Sequence, residues 1–151
     1  MNFEQYAPEA NKFVREVAEE LGNARDTDHA YRIMRSVFHT VREILSPEES
    51  LHFIAQLPLM IKGVYVDSWH IPARHRIRSM AEFLACLREQ DKPAAARDFG
   101  DDETAKRHVK SVLNVIKRHV ATGEIQHMID QFPIELTELW LIEESETAAR
   151  Q

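Results

Sequence analysis

The sequence predicts an all-α protein built as a tandem duplication, in which a roughly 70-residue, four-helix unit occurs twice and packs into one helical bundle domain. Three observations predict it. Apolar residues recur at helical spacing along most of the chain, and no stretch shows the alternation of a strand. Shifting the sequence by 75 residues lays residues 28–65 on 103–140 without a gap. Nine of those 38 positions are then identical: Ala30/Ala105, Arg32/Arg107, Ser36/Ser111, Val37/Val112, Glu49/Glu124, His52/His127, Ile54/Ile129, Gln56/Gln131 and Pro58/Pro133. Apolar positions coincide as well, Phe38 with Leu113, Val41 with Ile116 and Ile61 with Leu136.

The elements follow in order. Phe13, Val14, Val17, Ala18 and Leu21 form one helical face, and Gly22 stands where a helix-ending glycine belongs. Thr27 is the expected N-cap of a long helix whose stripe runs from Ala30 through Val37 and Val41 to Leu45. Ser46, Pro47 and Glu49 are a capping box for a short helix ending near Gln56. Pro58 ends that helix and begins another, through about Val66. A linker at about 70–78, "HIPARHRIR", joins repeat one (about 3–69) to repeat two (about 79–142). Ser79 and Glu82 repeat the capping pattern before Phe83, Leu84 and Leu87, which match Val17 and its neighbours at a shift of 70. The five-residue difference falls in the connector "DKPAAARDFG". The second long helix places His108 and His119 where the first has Ile33 and Ile44. Residues 143–151 read as a polar tail.

Composition narrows the function. The 151 residues are 44% apolar and 29% charged, ordinary for a globular chain. The formal net charge is −6, with 8 basic against 11 acidic residues in 1–75 and 11 against 14 in 76–151, so each half carries −3. No basic domain invites nucleic acid. One cysteine, Cys86, excludes an internal disulfide framework. No apolar stretch approaches the ~20 residues of a membrane helix, and the first residues lack a secretory pattern. A cytoplasmic protein is expected.

The run "AYRIMRSVFHTVREILSPEESLHFIAQLPLMIKGVYVDSW", followed by the weaker copy ending "GEIQHMIDQFPIELTELW", resembles the bacterial family called domain of unknown function 2267, over about residues 3 to 142. The resemblance implies a helical bacterial domain without an assigned activity. It carries no catalytic residues over to this chain.

Four groups of residues are candidates for a role. Pro58 and Pro133 free the carbonyls of Ile54 and Ile129, and Gln56 and Gln131 are expected to hydrogen-bond backbone groups at these corners and set the angle between helices. Glu49 with His52, and Glu124 with His127, each have the Glu-x-x-His spacing that di-iron helical bundles use. Against a metal, each His points nearly opposite the apolar face of its own helix, and each Glu lies in a first turn that favours a carboxylate anyway. A capping Glu beside an exposed His is therefore expected, and no metal or other cofactor. Tyr65, Trp69 and Trp140, late in the fourth helices, are expected to pack the repeats together and to leave a surface for a partner. Arg74, Arg76 and Arg78 form the densest basic stretch, read as a solvated linker. No phosphate-binding glycine loop occurs.

These residues favour a non-enzymatic helical interaction or scaffold module with a protein partner or self-association. The alternative is a small-ligand or metal-binding helical protein using the Glu-x-x-His pairs or the cleft between repeats.

Overall fold

A helix leaves its first four N–H groups without intrahelical partners, and four of the eight α-helices described start where a short polar side chain takes one. The computed structural model describes residues 2–141, and the expected polar tail lies outside them. Among the described residues the elements are α1 (Ala7–Glu20), α2 (Thr27–Ile44), α3 (Pro47–Ile54), α4 (Leu59–Val66), α5 (Met80–Gln90), α6 (Ala95–Phe99), α7 (Asp102–His119) and α8 (Thr122–Gln131), with 3-10 turns at Phe3–Tyr6 and Ile134–Trp140 and no strand. None of these helices is long and apolar enough to cross a membrane.

The two long helices start and stop 75 residues apart, and so do their caps. Asp26 accepts from the backbone N of His29 at 3.1 Å, and Asp101 from that of Thr104 at 2.8 Å. Aspartate therefore takes the capping position expected of Thr27, which instead becomes the first helical residue. Gly22 does end α1: at φ +92° it lets its own N–H reach Glu19 O and the Asn23 N–H reach Ala18 O, both at 3.0 Å. Two features differ from expectation. The connector forms a short helix, α6, and the last element of the second half is a 3-10 helix where the first half has α4.

α1 packs on both α2 and α7, α5 packs on α2, and α3 packs on α8. Each opening helix thus lies against the long helix of the other half. One continuous apolar core results, running from Phe13 and Val17 through Phe38 and Leu87 to Leu113 and Leu139. The corner after each proline folds back on its own long helix. Arg42 donates to Tyr65 O and Asp67 O at 2.7 Å and to Ser68 O at 3.2 Å, taking up carbonyls left at the end of α4. Lys117, 75 residues on, donates to Trp140 O. His39, held neutral because burial pushes its pKa down to about 4, bonds Val64 O at 2.8 Å.

The connector is fastened by charge. Asp98, at 0% exposure, accepts from Arg32 through Nε and Nη2, both at 2.9 Å, and from His29 Nδ1 at 2.9 Å. Burial alone would raise its pKa, but the bonds from Arg32, Asp91 and His29 hold it well below the usual range. His108 bonds the Asp98 backbone O at 2.8 Å, so this stripe histidine anchors the connector to α7. His119 pairs with Glu16 of α1 at 2.6 Å. Asp91, also buried, is pushed up to about 7 by burial, by its hydrogen bond to Asp98 and by the charge of that group.

Asp91 gives a pH prediction. Between about pH 4, where an unfolded carboxyl titrates, and about 7, folded Asp91 holds a proton that the unfolded chain has released. Its contribution to stability therefore falls as pH rises through that window and levels off above it. The stability of wild type minus that of Asp91→Asn, from urea melts at pH 4 to 8.5, is expected to decline across this range; a pH-independent difference would contradict the assignment.

Candidate functional site

The third helix of each half is short, so its end groups matter more than its length. Ser46 caps α3 by accepting from Glu49 N at 3.1 Å. In a capping box the glutamate three residues on would reach back to the capping residue's own N–H. Here that N–H is already used: Ser46 N donates to Gln131 Oε1 at 2.8 Å. The other half does the same. Ala121, the capping residue of α8, has no polar side chain, and its N–H donates to Gln56 Oε1 at 2.7 Å. The glutamines therefore bond backbone groups of the opposite half's helix start, not those freed at their own corners. Pro58 and Pro133 become the N-caps of the elements that follow.

This exchange releases both glutamates from capping. Glu49 and Glu124 turn into the seam between α3 and α8, where the Glu49, Glu124 and His127 side chains each bring a donor atom within 4.8 Å of the others. The expectation of a capping Glu is corrected, since the glutamines take the N–H groups the glutamates would have reached. Glu49 is only 9% exposed, and the Glu124 side chain only 12%. The reason is that α3 and α8 pack on each other, and a single helical wheel does not contain the second helix. His127 Nδ1 lies 3.9 Å from Glu124 Oε2, and its ring remains 68% exposed at the rim. His52 is exposed on α3.

Two carboxylates in one seam repel. Burial first, then the hydrogen bond and charge of Glu49, push the Glu124 carboxyl above the usual range, and the nearby His127 and His52 partly offset this. Glu49 Oε1 and Glu124 Oε1 are both out of solvent without a hydrogen-bond partner among the described residues. Buried oxygens of this kind want a proton or a cation. A divalent ion binds carboxylate O and imidazole N at about 2.0–2.2 Å, so donors sharing one ion lie within about 4.4 Å of each other. Here His127 Nδ1 and Glu124 Oε2, at 3.9 Å, lie inside that span, and all three donors lie within 4.8 Å, slightly above it.

The aromatic residues fall elsewhere. Tyr65 is fully buried and Trp140 is 2% exposed, so neither forms an open surface. Each packs inside its own half: Tyr65 against Phe38, Phe53 and Trp69 at ring separations of 5.7, 5.4 and 5.7 Å, and Trp140 against Phe132 at 5.4 Å. Tyr65 also shares a 2.7 Å hydrogen bond with Ser50. Folding back at the proline corner carries these rings into the core, and Trp69 is left half-buried against it. Cys86 is buried, which pushes its thiol above the usual range and away from nucleophilic use. Arg74 and His75 present their backbone N–H groups to Glu43 Oε2 at 3.1 and 3.3 Å, so the linker is pinned to α2.

The glutamine exchange is testable without any ligand. Gln56→Leu and Gln131→Leu should each cost about 1 kcal/mol, the scale of a lost N-terminal cap, or about 2–4 °C in melting temperature at this chain length. Unchanged melts for both variants would show that the halves do not rely on these caps. A comparison with curated proteins returns no match. A family model described as "Uncharacterized conserved protein (DUF2267)" matches residues 10–139. The chain belongs to that family.

Proposed function

We propose that this chain is a helical divalent-cation-binding protein whose seat is the α3–α8 seam. The observation that carries the reading is the meeting of Glu49, Glu124 and His127 within 4.8 Å, with a buried, unpartnered oxygen on each glutamate. Two carboxylates balance the charge of one divalent ion, and an imidazole adds a nitrogen donor. Because the ligands come from both halves, the ion would also staple the halves together. Tandem duplication accounts for how such a seat arises: one Glu-x-x-His helix, copied and packed against its own image, brings its ligands together. The equal offset of α2 and α7, of the aspartate caps, of the glutamine bonds and of the Arg42 and Lys117 contacts supports that origin. The reading as a protein-interaction module no longer has Tyr65 and Trp140 to rest on.

Isothermal titration of chelator-treated protein with Zn²⁺ and with Mn²⁺ tests this reading. One ion per chain is expected for at least one of the two, and saturating it at about a hundredfold over Kd should add about 2.7 kcal/mol of stability. Glu49→Gln and Glu124→Gln should abolish binding while leaving the ion-free protein at least as stable as wild type, since each removes a repelling charge. Absence of binding to the wild-type chain would sink the proposal.

A further inference from the structure

We infer that the seat takes a first-row transition cation in preference to Mg²⁺ or Ca²⁺, with His52 serving as its fourth protein donor. This rests on the cation-binding reading and specifies the ion and the ligand set.

The repeat of contacts is the first argument. Glu49 and His52 are spaced on α3 as Glu124 and His127 are on α8. The two helices pack on each other and exchange caps reciprocally, Gln131 to Ser46 and Gln56 to Ala121. Under that exchange His52 and His127 occupy equivalent positions. His52 lies outside the cluster of Glu49, Glu124 and His127, on the helix facing His127, and would join it by a turn of its side chain. His52 is near enough that its charge favours the ionised form of Glu124, and as an exposed side chain it is free to turn inward.

The second argument is ligand chemistry. Ca²⁺ takes six to eight oxygen ligands and Mg²⁺ near-octahedral oxygen, commonly with several waters. The seam offers two carboxylates and the His127 imidazole, and His52 would add a second. Imidazole suits Zn, Fe, Ni and Cu, whereas all-oxygen sets suit Mg and Ca. Two nitrogens with two oxygens therefore select the transition series. The position of His127 at the solvent rim leaves room for water to complete the shell.

The test measures affinities of the full-length chain for Zn²⁺, Co²⁺, Mg²⁺ and Ca²⁺ in wild type and in His52→Ala, with the Co²⁺ visible spectrum as a second readout. Zn²⁺ and Co²⁺ should bind at least about tenfold more tightly than Mg²⁺ or Ca²⁺. His52→Ala should weaken Zn²⁺ by at least about tenfold and shift the Co²⁺ bands, with its far-UV circular dichroism unchanged because His52 is exposed. Mg²⁺ or Ca²⁺ binding as tightly as Zn²⁺, or a His52→Ala variant with wild-type affinity and Co²⁺ spectrum, overturns this inference while leaving the cation seat intact. Failure of all four ions to bind the wild type overturns both.

Discussion

The structure turns on two glutamine side chains that cap each other's half. Gln131 takes the N–H of Ser46 and Gln56 takes that of Ala121. Each bond is modest in net energy, about 1 kcal/mol. Their consequence is positional. A helix N-terminus that is already capped from outside no longer needs the glutamate in its first turn. Glu49 and Glu124 are thereby free to face each other, and because the caps come from the partner half, the two helix starts are drawn together in the act of capping. The same residues that close the fold set up its least comfortable feature, a pair of carboxylates in one seam.

That seam is held under load by the rest of the molecule. The opening helices cross over, α1 onto α7 and α5 onto α2, so pulling α3 from α8 would require disturbing one shared core. Arg42 and Lys117 fasten the corner elements from behind, and Arg32 with His29 fastens the connector through Asp98. Placing charged donors on freed carbonyls and on a fully buried carboxylate is effective because partnerless groups there would cost far more than the bonds return. Several buried polar side chains sit on the long helices themselves, Ser36, His39, Thr40 and Arg42 on α2 and Lys110, Ser111 and Asn114 on α7, and His39 and Arg42 reach from there to the corner carbonyls.

Much of this was legible in the residues. Helical spacing, Gly22, Ser46 with Pro47, and the two corner prolines place the helices, since caps and breakers act locally and write themselves into adjacent positions. The capping role of Asp26 was within reach, as the residue before Thr27 is the stronger cap and its counterpart Asp101 lies at the same offset. The α6 helix was not, because five residues of "AARDF" carry no period, and what holds them is Asp98 reaching Arg32 and His29 far away in sequence. Tyr65 and Trp140 misled because an aromatic near a helix end looks the same whether the chain continues outward or folds back. Glu49 and Glu124 misled most. A helical wheel divides one helix into a core face and another face, and it cannot tell water from a second helix.

That last failure bears on the seam itself. A sequence selected for stability alone has simple remedies for a buried like-charge pair: glutamine at either position keeps the shape and removes the repulsion. This chain has glutamate at both equivalent positions and histidine three residues beyond each. It also has Gln56 and Gln131 performing the capping that would otherwise occupy those carboxylates. At this seam local consistency is broken the same way in both halves. A departure of this kind, repeated at equivalent positions, is where a role beyond folding is to be sought. The proposed divalent cation would answer each part of it at once, neutralising the pair, filling the two orphaned oxygens and giving the His127 imidazole a partner.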